Sequence, residues 1–388
     1  MKEKEKFLQR LVYELETRKK RLHYRNLNPK IHTRIDFSSN DYLGLNHKGI
    51  LLKFLKEVLD DFHDTVGSTG SRLISGHRDI FELIEKKFSL LVDVPDSLLF
   101  HSGYVGNLST IEALISPRDV AFVDRLSHAS IIDGVRISKA KKIYFHHNDL
   151  QHLEDLLKKT RRNPKSEFWI FTEAVFSMDG DVPPLVELLE LCEKYSCNLF
   201  LDEAHSIGVY GKSGKGLAYD LGVQKQVSVL VFPMGKAPGV MGCFVSGETI
   251  LKEYLINFAR GFIYSTAQPI FLVPLLGKVI DFLESDEAER YRSHLWDLSN
   301  YARENLKLMG FHILNSVTQI IPVLIPDEEK LMAVVNELRK RFDVVAIRPP
   351  TVPVGSSRIR VNLHAHNTKD EVDELLEAFL KLRDKFLF

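Results

Sequence analysis

Between residues 119 and 233 the chain repeats one pattern: a short apolar run, then a longer stretch with apolar positions at helical spacing. The runs are DVAFVD (119–124), KKIYFHH (141–147), EFWIFTEAVF (167–176), NLFLDEAH (198–205) and VSVLVFP (227–233). Several are apolar at odd and even positions alike, which suits a strand whose sheet is covered on both faces. Amphipathic stretches between them, such as LQHLEDLLKKT (150–160) and PLVELLELCEKY (184–195), read as helices. Strand, covering helix and further strand, repeated, point to an α/β fold with a doubly wound, mostly parallel sheet.

Past residue 267 the spacing changes. Two long helical patterns, at about 268–284 and 287–309, precede QIIPVLI (319–325), a helix over 327–341, VVAIRPP (344–350), RIRVNL (358–363) and a helix over 368–386. This looser order implies a smaller C-terminal α/β domain. Residues 1–25 read as a charged amphipathic helix with Phe7, Leu8, Leu11, Val12 and Leu15 on one face. The expected division is an N-terminal helix and arm over 1–45, a large domain over 46–280 and a small domain over 281–388.

Lys+Arg and Asp+Glu both total 52, so the formal charge is zero and the chain lacks the broad positive field of a nucleic-acid binder. RKKR at 18–21 then reads as a solvated helix end. Three cysteines, Cys192, Cys197 and Cys243, offer no pairing framework and imply a reducing compartment. There is no apolar leader and no uncharged apolar span of membrane length, so the expectation is a cytoplasmic protein with neither nucleic-acid nor membrane partners.

Ligands of open parallel sheets bind at the carboxyl ends of the strands, and several reactive side chains fall there. Asp202 and His205 follow NLFLD. A carboxylate so placed can hold a proton on a heteroaromatic nitrogen and the His can bond a phenolic oxygen; a helix-capping Asp with a surface His fits equally. Lys236 follows the run VSVLVFP among small residues, where partial burial lowers an amine's pKa and frees it to form a Schiff base. An Asp and a Lys on neighbouring strand ends are what a pyridoxal 5′-phosphate (PLP) enzyme needs. HSGYVGN (101–107) runs from strand into helix and would offer the amides of Gly103 and Tyr104 to a phosphate; GSTGSRLISG (67–76) is a second glycine-rich loop. His128 in DRLSHAS can lie on a cofactor ring or be a core histidine, and Ser177 in VFSMDGD can donate to a cofactor oxygen or close a turn. In RIRVNL, Arg358 and Arg360 share a strand face, and an Arg there can clamp a carboxylate or form an exposed salt bridge. His146-His147 and the His364/His366 pair lack metal-ligand spacing and read as solvated, and Cys192 and Cys197 read as buried thiols.

In this order the motifs resemble those of the α-oxoamine synthases, PLP enzymes of fold type I. FSSNDYLGL (37–45), GSTGSRLISG, DRLSHASIIDG, EAVFSMDGD, DEAHSIGVYG, GKAPG, FARGFIYSTAQP (258–269) and IRPPTVPVGSSRIRV (347–361) carry the resemblance over about residues 36–375. IRPPTVP is most like the branch that joins L-alanine to a pimeloyl thioester, on CoA or on a carrier protein. The resemblance implies that Lys236 carries the cofactor, Asp202 pairs with its ring nitrogen, Ser177 and His205 bond its phenolic oxygen, and His128 stacks on the ring and touches substrate. Gly103 and Tyr104 would hold the phosphate, with Ser265 and Thr266 reaching the phosphate of a neighbouring subunit in a homodimer. Asn40 and Arg360 would face the amino-acid carboxylate, Thr351 would line the acyl site, and Arg21 would contact the acyl substrate. The chain departs from the family beside the lysine: Pro233 stands where a hydroxyl residue usually bonds the phosphate, and Pro238 and Met241 stand for Phe and Ser. Sister condensations using glycine or serine, transamination on the same fold, and a cofactor-poor partner subunit are the alternatives.

Overall fold

Successive side chains of a strand point to opposite faces, and in the central strands of this chain both sets are buried. The computed structural model describes residues 2–20, 24, 25, 27, 31, 33–161 and 163–386. Its strands in chain order are β1 (Ile35–Asp36), β2 (Asp96–Phe100), β3 (Val120–Asp124), β4 (Lys141–Phe145), β5 (Phe168–Glu173) and β6 (Cys197–Asp202). They continue as β7 (Val229–Pro233), β8 (Cys243–Gly247), β9 (Ile320–Leu324), β10 (Phe342–Asp343), β11 (Val345–Ile347) and β12 (Arg358–Asn362). Seven of them form one sheet in the order β2-β8-β7-β6-β5-β3-β4. Only β8 in that sheet runs against its neighbours.

The period of two sorts the sheet's side chains into two cores. Leu99, Phe122, Leu199, Leu201, Leu230, Phe232 and Phe244 pack into one. Leu98, Phe100, Val123, Phe200, Val231 and Val245 pack into the other, with Ile111, Ile131 and Leu255 of the helices Gly103–Leu114, Ala129–Ser138 and Thr249–Phe258. Each fully buried side chain of this kind stabilises the fold by about 1.5–3 kcal/mol. The first core continues without a break into the C-terminal part through Leu295, Ile321, Val335 and Phe379. There β11, β12 and β9 form an antiparallel sheet, with the helices Asp286–Leu308, Glu328–Leu338 and Lys369–Phe386 nearby in sequence.

The segment after β1 is pinned to this smaller sheet. The Asn362 amide donates to Phe37 O (2.9 Å) and the Ala365 amide to Tyr42 O (2.8 Å). The Asn362 side chain donates to Ser39 O at 2.8 Å and Asn40 Oδ1 at 3.1 Å. The N-terminal helix is shorter than its pattern suggests, Lys2–Lys20, and its apolar side stays open, with Phe7 50% and Val12 58% exposed. Among the described residues no helix is long and apolar enough to cross a membrane.

Candidate active site

β8 is antiparallel to both β2 and β7, so β2, β3, β5, β6 and β7 end at the same edge of the sheet. The segments leaving these strands converge at that edge. After β2, Ser102 caps the helix Gly103–Leu114 by accepting from the Val105 amide. After β3, His128 caps the helix Ala129–Ser138. Glu173 and Asp202 close β5 and β6 as register partners, and Lys236 lies between the antiparallel neighbours β7 and β8. Gly103, Tyr104, Asn107, His128, Glu173, Asp202, His205, Pro233, Lys236 and Met241 line one cavity of about 340 Å³, together with Asn40. A second cavity of about 580 Å³, lined by Arg34, Ser39 and His47, shares Asn40, Gly235 and Lys236 with the first. Both volumes lie in the range of small-molecule sites.

The hydrogen bonds define which way these groups can act. Asn107 Nδ2 donates to Asp202 Oδ2 (2.6 Å) and Ser130 Oγ (2.9 Å), and the Ala204 amide donates to Asp202 Oδ1 (2.9 Å). Ser130 Oγ lies 2.7 Å from His128 Nδ1, which also accepts from the Ser130 amide at 3.3 Å. Nδ1 is therefore an acceptor, and the His128 ring is neutral with its proton on Nε2. Burial, opposed by nearby Asp202, lowers its pKa in agreement. The His128 amide donates to Glu173 Oε1 (2.6 Å). Burial, reinforced by Asp202, pushes Glu173 up to about 8. Burial also lowers the Lys236 amine, against the pull of Asp202 and Glu173. His205 is held well below its ordinary value, first by burial and then by Lys236 and Arg360. Its Nδ1 lies 2.6 Å from the Tyr42 hydroxyl, which reaches Asn40 Oδ1 at 3.1 Å, and Gln319 Nε2 donates to the His205 carbonyl at 3.0 Å.

Other residues singled out in the sequence fall around this centre. Ser177 lies past β5 outside the cavity lining, and its carbonyl accepts from Arg360 Nη1 (3.3 Å). Arg360 is buried with Nε unpartnered, and burial lowers its pKa. Arg358 is also buried, not exposed, because it forms an ion pair with Asp179 at 2.5 Å inside the fold. Ser265 and Thr266 follow the helix Arg260–Ile263 and do not line the cavity of their own chain; Thr266 O accepts from His101 Nε2. Thr351 is exposed on the turn after β11, where its amide donates to Arg348 O (3.0 Å). Arg21 lies outside the described residues.

Of the paired histidines His146 is exposed, as expected, while the other three need correction. His147 is half-buried, with Nδ1 2.9 Å from Asp124 and Nε2 2.9 Å from Asp181. His364 is fully buried, bonded to Asn367 Oδ1 and Ser39 at 3.0 Å. His366 stacks on His47 with centroids 3.9 Å apart. A periodicity argument misses this because the carboxylates that pair His147 come from the end of the neighbouring strand β3 and from the turn after β5, both remote in the chain. Among the described residues no cluster has the makings of a metal site, and Cys192, Cys197 and Cys243 form no disulfide, with Cys197 only half-buried. Sequence reasoning also missed Asn107, Ser130, Glu173 and Tyr42. Asn107 had a signal: it stands one helical turn after Gly103, on the same helix face.

The class I and II aminotransferase family pattern matches residues 32–379. The chain is 37% identical over 351 residues to an 8-amino-7-oxononanoate synthase of Marinobacter nauticus, covering 90% of this chain and 87% of that one. It is 38% identical over 347 residues to the same enzyme of Coprothermobacter proteolyticus, covering 89% and 87%. Among solved structures, serine palmitoyltransferase from Sphingomonas wittichii superposes with TM-score 0.85 at 27% identity over 91% of this chain and 88% of that one. A serine palmitoyltransferase solved with PLP gives TM-score 0.85 at 26% identity, with coverage of 91% and 88%. The 8-amino-7-oxononanoate synthase of Francisella tularensis gives 0.79 at 27% identity, with coverage of 92% and 100%. With a sheet, a lysine hairpin and an Asp–Asn–Ser–His network of this form, the chain belongs to the class I and II aminotransferase family and, within it, to the α-oxoamine synthases.

Proposed function

We propose that the chain is a PLP-dependent acyltransferase that condenses L-alanine with a pimeloyl thioester, on CoA or a carrier protein, with loss of CO₂, to give 8-amino-7-oxononanoate for biotin synthesis. The observation that carries the reading is the meeting of Lys236, Asp202 and His128 with the amino end of the helix Gly103–Leu114 around one cavity. The residues fit the cofactor. Gly103 and Tyr104 begin the helix Gly103–Leu114 on the cavity wall, where first-turn amides have no partner within the helix, and a Cβ on Gly103 would come 2.7 Å from Pro233 Cγ. Asp202, fixed by Asn107 and Ala204, presents a carboxylate to a protonated ring nitrogen.

When bound, PLP supplies an electron sink for negative charge developing beside the amine of its substrate. Lys236 would hold the cofactor's aldehyde, and its Nζ, whose pKa burial lowers, would be the group that takes the alanine Cα proton. His128, lining the cavity with Nδ1 an acceptor, would lie beside the cofactor and could offer its Nε2 proton to a substrate oxygen. The single proton of the Tyr42 hydroxyl can go to Asn40 Oδ1 or to His205 Nδ1, 2.6 Å away; given to Nδ1, it would leave His205 Nε2 to donate to the cofactor's phenolic oxygen. Arg360 and Asn40 receive the alanine carboxylate until it leaves as CO₂, and the unpartnered Arg360 Nε is suited to that. Thr351 lines the acyl path, while Arg21, Ser177, Ser265 and Thr266 keep the roles the family resemblance gives them. Ser265 and Thr266, absent from the cavity of their own chain, serve the partner's site in a homodimer.

The test is the visible spectrum of the protein with PLP, followed by L-alanine, glycine or L-serine, and then pimeloyl-CoA. The expected result is a band that alanine perturbs and a further transient once the thioester arrives. A response confined to glycine or serine moves the chain to a sister condensation. Conversion of the cofactor to its amine form by the amino acid alone points to transamination. The Lys236→Ala variant is expected to lose turnover entirely; near-normal activity in that variant overturns the scheme.

A further inference from the structure

The loop after β5 is held from outside the active site by a histidine that touches neither cavity. His147, just past β4, places Nε2 2.9 Å from Asp181 Oδ2 and Nδ1 2.9 Å from Asp124 Oδ1. Its ring meets Phe176 edge-on, with centroids 4.4 Å apart and planes at 84°. Phe176 and Asp181 are the two ends of one tight turn: the Phe176 amide donates to Asp181 O (3.0 Å) and the Gly180 amide to Phe176 O (2.9 Å). Asn148 reinforces the grip, donating its amide to Asp124 Oδ2 (3.0 Å) and its side chain to Asp181 Oδ2 (3.0 Å) and Val182 O (3.2 Å). Between these ends lies Ser177, whose carbonyl accepts from Arg360. On the far side of the turn Asp179 and the Met178 carbonyl accept from Arg358 at 2.5 and 3.2 Å.

We infer that His147 is a positioning residue: by clasping both ends of the 176–181 turn, it fixes the turn against which Arg360 is set for the substrate carboxylate. The other end of the clasp, Asp124, also accepts from the Leu126 amide (2.8 Å) and so steadies the segment leading to His128. Protonated, the ring donates from both nitrogens to two carboxylates, an arrangement that an uncharged side chain of similar size meets only in part. Burial lowers its pKa, but the hydrogen bonds and negative charges of Asp124 and Asp181 together raise it to about 10, so the clasp stays charged across the working range. The inference rests on the proposed role of Arg360 as the carboxylate partner.

The test uses the holoenzyme and its spectral titration with amino acid, which needs no thioester. His147→Gln is expected to weaken L-alanine binding about 5- to 30-fold and raise its KM in step. The KM for pimeloyl-CoA stays within twofold and kcat within threefold, and Asp181→Asn gives the same pattern. In the double variant the two losses do not multiply, because both break one clasp. A lower Tm with unchanged alanine affinity in both single variants overturns the inference and leaves His147 a purely structural residue. An equal loss in kcat and in affinity for both substrates does the same. If wild-type protein responds to glycine or serine and not to alanine, the titration is run with that amino acid. Such a result corrects the proposed substrate, while the role of His147 is still decided by the variants.

Discussion

Pro233 ends β7 with its ring against Gly103, Cγ lying 2.7 Å from where a Cβ of that glycine would stand. A hydrogen bond to a charged group contributes about 1.5–3 kcal/mol, and proline has no hydroxyl with which to make it. Pro233→Thr is expected to tighten PLP about 10- to 100-fold, read by equilibrium titration of the apoprotein. Gly103→Ala drives a methyl into the same ring and loosens PLP in that assay. Glu173 gives a prediction for pH. Its folded pKa is raised from 4.5 to about 8, chiefly by burial. The folded state therefore keeps a proton that the unfolded chain releases between these values, and stability drains away as pH rises through that window. Glu173→Gln retains an oxygen to accept the His128 amide and has nothing to titrate. The Tm of apoprotein Glu173→Gln minus that of wild type is therefore expected to grow from pH 5 to pH 8; a flat difference means Glu173 is ionised throughout.

Among elements, the strands that build the site were legible because their burial on both faces writes a continuous apolar run. β3, β4, β6 and β7 lie within a few residues of where the runs place them, while β5 stops at Glu173, short of Phe176. The overrun has a cause: residues 174–176 are buried and apolar, and the Ala174 amide still donates to Asp202 O (2.9 Å), but Phe176 already opens the turn that Asp181 closes. β8 was not legible, since CFVSG is short and its pairing with distant β2 leaves no local trace. Lys236, Asp202 and His128 were legible from strand-end position. Ser130 and Glu173 were not, and Asn107 only through its place one turn after Gly103, because their meaning is a hydrogen bond to a residue distant in the chain. The turn after β5 carries its own prediction. Gly180 has φ +67°, and a Cβ there would collide with the Ile320 carbonyl at the start of β9. Gly180→Ala is expected to cost at least about 2 kcal/mol, seen as a lower denaturation midpoint, since both the left-handed backbone and the contact between the sheets oppose it.

For the whole molecule, the placing of Ser265 and Thr266 outside their own cavity makes the proposed homodimer testable by complementation. Lys236→Ala protein mixed with Ser265→Ala/Thr266→Ala protein gives hybrid dimers with one complete site. After random exchange the mixture is expected to recover roughly a quarter of wild-type activity; a mixture no better than the mean of its parents rules out shared sites. The hairpin of β7 and β8 has a consequence in time. Asp202, His128 and the Gly103 turn reach the site through long crossovers, whereas Lys236 is carried between strands that are neighbours in both sequence and space. Local pairs close quickly and distant ones wait for loop entropy to be overcome. In pulse-labelled hydrogen exchange during refolding, amides of 229–247 are expected to gain protection before those of 96–107. The lysine is then in place before the turn that carries Gly103.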